Sequence, residues 1–536
     1  MKLFGTYAAV IFLGITSSAC QPLLPTTRVH GLVYCAEGSP ESFNPQLVTS
    51  GTTIDAISQH LYDRLLEIDP DSGELIPGLA KSWSISEDGL TYRFQLRQGV
   101  EFHHTSYFSP SRPLTSEDIR FTFERLLAVT HPFHQTATEY PYFESVEWQQ
   151  LVAKLTVIGP HEIEFTLTKP DSSFLSTLAT DFAAILSAEY GEQLISRQTL
   201  ADLDTLPVGT GPFFYRHYQK DVLIRYYRHP KYWRQLPAME QIVIDIVPDN
   251  TKRIAKLLTH ECDVAPIPRL AELSLLSTRE DFVIDAQTSM NVGYWAFNTR
   301  LPPFDQVKVR QALSYAINKS NILQAVYFGQ AEPANSLLPP TSWAYDKNLN
   351  TQRYDPELAK KLLAEAGYPQ GFKMDIWAMP VQRLYNPNAL KMAELIQADL
   401  ARIGVTAKIV TYEWNTFRRK LRQGVHDSVL IGWSADNADP DNFLRPLLSC
   451  AAAISGSNRA NWCDEKFDEL LAQAVHTAIP EQRKAFYQQA QQYQFEQMPL
   501  VPIAHSKRFQ VRSRNISGVR INPYGGINFT EAGKSL

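Results

Sequence analysis

An acidic turn that follows a short apolar run is the part of the chain best suited to bind a charged ligand. The run at 429–433, VLIGW, predicts a buried strand. The turn after it carries Asp436, Asp439 and Asp441. Ligands of open α/β sheets bind at the carboxyl ends of strands, so a carboxylate here, walled by Trp433, could hold a cation in a closed cleft. The structural alternative is that these side chains bond to nearby backbone in a turn or a helix cap.

Motifs for nucleotide-driven or hydrolytic chemistry are absent from the sequence. The segment GKS at 533–535 imitates the end of a phosphate-binding loop, but Asn528 occupies the place of its first glycine. No GxSxG elbow occurs, and His161-Glu162 lacks the second histidine of a zinc-protease motif. The glycine-rich turn at 208–213 is interpreted as a crossing between lobes rather than a phosphate site. A secreted binding protein is therefore the leading interpretation.

Chain length and net charge limit the possible class of protein further. A chain of 536 residues is too long for one hydrophobic core, so two or three lobes are expected. The hydrophobic share of 44% is typical of a globular protein, and a net charge of −5 does not favour nucleic acid as a partner. The densest basic run, Arg418-Arg419-Lys420 with Arg422, lies in a short amphipathic helix pattern and is interpreted as a solvated face.

The amino terminus has the pattern of a secretory signal peptide over residues 1–20. Met1-Lys2 precede an apolar stretch at 3–15 that is too short to span a bilayer, and small residues lead to Cys20. Cys20 stands where a lipoprotein signal places its acylated cysteine, although Ser17 replaces the usual larger aliphatic residue. The mature protein is therefore expected to be exported, and either released or lipid-anchored through Cys20.

Four cysteines remain after Cys20, an even number in a chain expected to enter an oxidising compartment. They allow three pairings. We favour a short clip between Cys450 and Cys463 and a long-range bond between Cys35 and Cys262. A zinc site is the alternative, but no CxxC spacing is present, so neither a metal nor another cofactor is expected.

Periodic patterns predict the elements that position these residues. Thr115, followed by acidic residues, predicts the start of a helix that extends to Leu127. Further on, strands and helices are predicted in alternation, over 372–378, 389–403, 405–412, 415–424 and 429–433. This alternation predicts βαβ units around a largely parallel sheet.

Several longer motifs resemble the peptide-binding receptors of ABC importers. The family signature lies in PGLAKSW at 77–83 and DGLTYRFQLRQGV at 88–100, and the similarity extends from about residue 33 to the C-terminus. Motifs that resemble dipeptide-binding members are YCAEGSP at 34–40, PVQRLYNPN at 380–388 and TYEW at 411–414. Motifs that resemble members associated with antimicrobial-peptide resistance are PYFES at 141–145, SWAYD at 342–346 and RPLLSCAA at 445–452.

The resemblance implies an α/β fold of the two-lobed periplasmic binding protein kind (type II, cluster C), with mixed sheets and flanking helices. One lobe would consist of residues 29–288 and 508–536, and the other of residues 289–507. The two favoured disulfides and a periplasmic location are implied as well. The expected partners are a peptide ligand and an inner-membrane ABC permease with its ATPase subunits, and the receptor is expected to be a monomer.

The resemblance also assigns roles within the matching motifs. Asp436 would pair with a peptide's α-ammonium, and Arg383 would hold its carboxylate, as in dipeptide-binding members. An ammonium removed from water needs a paired charge, and a guanidinium can hold a carboxylate through two parallel bonds. If both ends are held, the distance between Asp436 and Arg383 sets the ligand length. The cleft would further be lined by Trp414, Tyr385, Trp433, Thr49, Ser50, Gly51 and Thr52.

Several alternatives stay open at this level. Arg383 could instead form a surface or interlobe salt bridge, and Trp414 could be part of a core. Haem or a polyamine is also suggested as cargo by the resemblance, and no motif selects among the ligands. An exported enzyme on the same scaffold and a chaperone-like interaction protein are the hypotheses from other classes. Turnover of a peptide would favour the first, and binding of unfolded chains the second.

Overall fold

The computed structural model describes residues 30–48, 50–136, 139–349 and 353–535. The predicted signal peptide at 1–20, with Cys20, and the predicted cleft residue Thr49 lie outside the described residues. Within those ranges, no helix combines the length and apolar character needed to cross a bilayer.

Strands occur along the whole described chain. They are β1 Gly31–Ala36, β2 Leu66–Ile68, β3 Leu75–Pro77, β4 Ala80–Ile85, β5 Thr91–Leu96, β6 Val152–Gly159, β7 Glu162–Leu167, β8 Phe213–Gln219, β9 Leu223–Arg228, β10 Gln241–Ile246, β11 Val264–Pro266, β12 Phe282–Thr288, β13 Asn291–Phe297, β14 Ala331–Pro333, β15 Lys373–Ala378, β16 Thr406–Val410, β17 Ser428–Ser434, β18 Leu500–Ser513, β19 Ile516–Ser517, β20 Arg520–Ile521, β21 Ile527–Asn528 and β22 Gly533–Lys534.

The α-helices flank these strands. They are α1 Gly51–Leu61, α2 Ser116–Leu127, α3 Pro141–Ser145, α4 Trp148–Leu151, α5 Phe174–Leu178, α6 Ala188–Arg197, α7 Asn250–Leu258, α8 Leu273–Leu276, α9 Val307–Ala316, α10 Lys319–Tyr327, α11 Pro356–Glu365, α12 Ala389–Ala401, α13 Trp414–Arg422, α14 Asp441–Leu448, α15 Cys450–Ser455, α16 Glu465–His476 and α17 Pro480–Gln497.

The largest sheet is mixed rather than largely parallel. Its strand order is β16-β15-β17-β13-β18-β11-β1-β10-β9-β8, and β12 and β14 also pair with β18. β15 is parallel to β16 and β17, as the alternating pattern predicts. β13 is antiparallel to both β17 and β18, so the parallel arrangement ends there. A separate antiparallel sheet has the order β4-β5-β7-β6.

Strand β18 links two hydrophobic cores. Its first half pairs with β13 and β14, and its second half pairs with β11 and β12. One core draws on residues between 32 and 264 and between 516 and 532, and the other on residues between 290 and 504. The chain passes from one core to the other between β12 and β13 and again within β18. The predicted lobe boundaries lie at these two passages and stay a prediction.

The glycine-rich turn at 208–213 lies inside the first core, so its interpretation as a crossing between lobes is wrong. The Gly211 N–H donates to the carbonyl of Leu61, the last residue of α1. A Cβ atom on Gly209 would lie 2.0 Å from the Leu61 carbonyl oxygen, and one on Gly211 would lie 2.5 Å from the Leu61 carbonyl carbon. The glycines are therefore needed for close backbone contact with α1.

Both favoured disulfides are present in the structure. Cys35 of β1 is bonded to Cys262, with 5.9 Å between the Cα atoms. Cys450, at the start of α15, is bonded to Cys463 with 4.4 Å between the Cα atoms. Asp245 lies close to Cys35 and Cys262, but both sulfurs belong to the disulfide, which leaves no thiolate there to bind zinc.

Candidate ligand-binding site

Three predicted site residues follow the carboxyl ends of three neighbouring parallel strands. Arg383 comes after β15, Trp414 after β16 and Asp436 after β17. Because parallel strands end at the same edge of a sheet, the fold brings the three residues to one side of the second core. The burial of β17, complete over its first four residues, explains why this apolar segment forms an interior strand.

Asp436 is bonded to the side-chain amide of Asn442 and does not cap a helix. Its backbone N–H donates to Asn442 Oδ1 at 2.9 Å, and Asn442 Nδ2 donates back to Asp436 Oδ2 at 3.4 Å. Pro440 occupies the N-cap position of α14 and makes no side-chain capping bond. The structural alternative for Asp436, a carboxylate bonded to its own turn or helix backbone, is therefore not what the structure shows.

Asp436 differs from the other acids of its turn because it has no cationic partner among the described residues. Asp439 pairs with Arg483 at 2.9 Å and Asp441 pairs with Arg445 at 2.7 Å. Burial raises the pKa of Asp436 to about 7, and the bond from Asn442 only partly opposes that rise. The arrangement leaves a carboxylate whose charge is uncompensated.

Residues of the first core face this carboxylate. The charge of Asp181, which is itself paired with Arg64 at 2.7 Å, adds to the rise in the pKa of Asp436. Burial, and then the charge of Asp436, raise the pKa of Tyr142. Asn437, next to Asp436, donates to the Tyr142 hydroxyl at 3.4 Å. Asp436 therefore lies between the two cores.

Trp433 also offers an unused polar group near this position. Its indole Nε1 is buried and has no hydrogen-bond partner within the described structure. A buried donor without a partner is costly, so an acceptor from a ligand would stabilise it. Trp433 would therefore suit the wall of a binding cleft, and that role stays a prediction.

Arg383 is exposed and lies over the ring of Trp414, with 5.3 Å from its guanidinium carbon to the ring centroid. It donates to the carbonyl of Gln382 and makes no ion pair within the described residues. Burial raises the pKa of Glu37 in the first core, and the charge of Arg383 is among those that oppose the rise. Arg383 therefore faces the first core without forming the predicted alternative, an interlobe salt bridge.

Trp414 and Tyr385 are held by the second core. Trp414 is half-buried and stacks on Phe417 at 5.8 Å, so it combines core packing with contact to Arg383. The carbonyl of Tyr385 accepts a bond from the Tyr327 hydroxyl at 2.7 Å. A Cβ atom on Gly432 of β17 would lie 2.3 Å from the Tyr385 ring, so glycine is required where the ring rests on the sheet.

The predicted residues of the other lobe lie at the start of α1. Ser50 occupies the N-cap position without a side-chain capping bond, and Gly51 is exposed. Thr52 packs against Gly38, the neighbour of Glu37. Since Glu37 interacts with Arg383, this end of α1 lies on the side of the first core that faces the Arg383 region.

Four residues at the site were not identified from the sequence. Asn442 could have been identified from the sequence, because it lies six residues after Asp436 in the same acidic stretch. Tyr142, Asp181 and Glu37 come from distant parts of the chain, and no local pattern marks them as neighbours of the second core. Their approach depends on how the two cores meet.

The chain crosses between the two hydrophobic cores twice, between β12 and β13 and within β18, and charged side chains lie between the cores. This is the architecture of a two-lobed binding protein. The chain matches the model for bacterial extracellular solute-binding proteins, family 5 middle, over residues 74–455, and it belongs to this family.

Similar proteins cover nearly the whole chain. It is 45% identical over 530 residues to the dipeptide-binding protein of Escherichia coli, which covers 99% of each chain. It is 44% identical over 509 residues to heme-binding protein A of Haemophilus influenzae, covering 95% of this chain and 93% of that one. Identity to the peptide transport periplasmic protein SapA of Salmonella typhimurium is 40% over 503 residues, covering 94% and 91%.

A solved structure is also similar over most of the chain. The dipeptide-binding protein of Pseudoalteromonas sp. SM9913, in complex with Met-Leu, has a TM-score of 0.87 and 52% identity, covering 94% of this chain and 100% of that one. The predicted family and fold are confirmed, and the chain is a periplasmic receptor of the peptide ABC-transporter class. SapA is not singled out, because dipeptide-binding relatives are equally similar.

Proposed function

We propose that this receptor binds short peptides with a free amino end between its lobes and delivers them to an inner-membrane ABC permease with its ATPase subunits. The observation that carries the proposal is the Asp436 carboxylate, which is buried, lacks a cationic partner and has its pKa raised to about 7. A peptide's α-ammonium would supply the missing charge and would itself need one when it leaves water. The dipeptide-binding names of close relatives agree with this ligand class.

The lobes we propose, 29–288 with 508–536 and 289–507, would close on the peptide. Contacts between the two cores support such a closed arrangement, since the Ser172 hydroxyl donates to the carbonyl of Thr477 at 2.6 Å and to that of Val475 at 3.0 Å. Arg383 would hold the carboxyl end, so Asp436 and Arg383 together favour dipeptides over longer chains. We further propose a monomer without catalytic activity, anchored through Cys20 if that cysteine is acylated.

Haem is the second candidate ligand, because a relative of 44% identity is named heme-binding protein A. Antimicrobial peptides are a third, through the relative named SapA. Haem has no α-ammonium that could pair with Asp436, so the requirement for a free amino end separates haem from the proposed ligands. Antimicrobial peptides carry amino groups themselves, and they are separated by length, because a dipeptide would be held at both ends and a long chain would not.

A thermal-shift series tests the proposal. We expect a dipeptide such as Ala-Ala to stabilise the protein, because ligand at 100 times its dissociation constant adds about 2.7 kcal/mol to the folded state. N-acetyl-Ala-Ala, haemin and spermidine are expected to give much smaller shifts at the same concentration. Equal shifts from the free and acetylated dipeptides, or a shift from haemin alone, would reject the proposed ligand class.

The substitution Arg383→Ala tests the length preference. We expect affinity for a dipeptide to fall about tenfold or more, since a charge-assisted bidentate contact is lost, while a pentapeptide loses less. Isothermal titration of both ligands provides the measurement. Arg419→Ala, which removes an exposed arginine from α13, the helix that begins at Trp414, is the matched control and is expected to change neither affinity. Equal losses for the two ligands in Arg383→Ala would contradict a role in measuring length.

A further inference from the structure

Arginine side chains gather on one side of Tyr385. Burial raises the pKa of the Tyr385 phenol, and the charges of Arg383, Arg459 and Arg418 oppose that rise. Arg418 and Arg422 are four residues apart on α13, so they lie on the same face of the helix. These four residues, Arg383, Arg418, Arg422 and Arg459, are called the arginine cluster below.

Packing fixes the two halves of the arginine cluster against each other. The stem of Arg422 rests on Gly456, where an added Cβ atom would lie 2.9 Å from Arg422 Cγ. Arg459 follows three residues later, is half-buried and donates to the Gly456 carbonyl. Its own carbonyl accepts from His426 Nε2 at 2.8 Å, which ties this segment to the loop after α13. Helix α13 and the segment that carries Arg459 therefore pack against each other, and this packing holds the arginine side chains together.

Arg383, Arg418 and Arg422 are exposed and Arg459 is half-buried, whereas several buried arginines elsewhere are paired with carboxylates. Arg64 pairs with Asp181 at 2.7 Å, Arg483 with Asp439 at 2.9 Å and Arg508 with Asp55 at 2.8 Å. In the part of the chain that the structure describes, no member of the arginine cluster has an Asp or Glu oxygen within 4 Å. Burial lowers the pKa of Arg459, and the charges of Arg418 and Arg422 lower it further. Arg383 has the Glu37 carboxylate as a nearby counter-charge, whereas the groups that act on Arg459 are arginines and tyrosines. Gathering like charges is unfavourable, so the part of the cluster around Arg459 calls for an anion.

The arginine cluster continues from Arg383 along α13, because the Arg383 guanidinium lies over Trp414, the first residue of that helix. The charged groups that act on Asp436 and its neighbour Tyr142 are carboxylates, and none of the four arginines is among them. One side of the cleft is thus acidic and the other is rich in guanidinium groups. The arginine cluster also offers more positive charge than a single α-carboxylate neutralises.

We propose that the arginine cluster binds a second carboxylate of the ligand, so that this receptor prefers peptides whose last residue is Glu or Asp. The inference rests on the proposed function, which places the peptide's α-carboxylate at Arg383. The planar guanidinium matches the geometry of a carboxylate, so neighbouring arginines can hold two carboxylates on one residue. Arg418, Arg419 and Arg422 are all exposed, as expected for the solvated face predicted from the basic run; in this proposal Arg418 and Arg422 also contact the ligand.

Titration with matched dipeptides tests the inference. We expect Ala-Glu to bind about tenfold more tightly than its neutral isostere Ala-Gln, because charge-assisted hydrogen bonds are stronger than neutral ones. The ratio of the two affinities is expected to fall at least threefold in Arg459→Gln and in Arg418→Gln, and to stay at the native value in Arg419→Gln. Arg418 is exposed, so this variant is expected to fold even if Arg459→Gln does not.

Each outcome separates the inference from the proposed function. Binding of Ala-Gln with no preference for Ala-Glu would overturn the inference and leave peptide binding intact. A preference that survives in both Arg459→Gln and Arg418→Gln would equally overturn it. Failure of both dipeptides to bind the native protein would reject the proposed function itself.

Discussion

Replacement of Asp436 by asparagine is expected to weaken binding of dipeptides with a free amino end by about 100-fold or more. The amide keeps the size of the side chain but supplies no charge for the ligand's ammonium, which is then buried without a partner. Isothermal titration of Ala-Ala with the native protein and with Asp436→Asn measures the loss. Glu357→Gln is the matched control, because Glu357 is 82% exposed on α11; it is expected to bind as the native protein does.

The pH dependence of the same titrations identifies the group. Asp436 has its pKa raised to about 7, and a bound ammonium favours its charged form and so lowers that pKa. Native affinity is therefore greatest between the pKa of Asp436, about 7, and that of the peptide's α-ammonium, about 8, and it falls roughly tenfold per unit as the pH drops below about 7. In Asp436→Asn the dependence over pH 6 to 7 should disappear. A native affinity that is constant from about pH 8 to about pH 5.5 would show that Asp436 does not bind the ligand's charge.

The sequence was sufficient to predict local elements whose signals lie within a few residues. β17 forms where the apolar run predicts a strand, because four consecutive buried side chains need a place in the interior. Helix α2 begins after Thr115 as predicted, and its Asp118 accepts from the Thr115 N–H at 2.8 Å. Both elements follow from side chains that act on their own backbone or on one face of a strand.

Features that depend on distant segments could not be predicted in this way. The turn at 208–213 has the composition of a linker, yet its glycines are there because α1 approaches within van der Waals distance. Arg459 shows no local pattern at all, since its neighbours Arg418 and Tyr385 lie some forty and seventy residues away in sequence. The charge on Asp436 was predicted, but its lack of a partner is visible only once Asp439 and Asp441 are seen to be paired.

The stability of the acidic turn depends on Arg483 of α17. Its Nη2 donates to both oxygens of Asp439, at 2.9 and 3.1 Å, and Nε donates to the Ala474 carbonyl at 3.0 Å. Asp439 is also bonded within the turn, where its N–H donates to Asn437 and its Oδ1 accepts from the Asp441 N–H. Burial raises the pKa of Asp439, and the charge of Arg483 opposes that rise. Arg483 therefore supplies the counter-charge of a buried carboxyl group in the turn that presents Asp436.

Arg483→Met is expected to lower the free energy of unfolding by about 3–5 kcal/mol, because it leaves Asp439 buried without its counter-charge. Chemical denaturation followed by tryptophan fluorescence measures the loss. Lys360→Met is the matched control: its ion pair with Glu357 has nearly the same length, 2.8 Å, but is exposed, so little change is expected. Adding Asp439→Asn to Arg483→Met should recover part of the stability, because the stranded charge is removed. A single-variant loss no larger than that of Lys360→Met would show that Asp439 needs no counter-charge, and that the acidic turn is held by its backbone bonds alone.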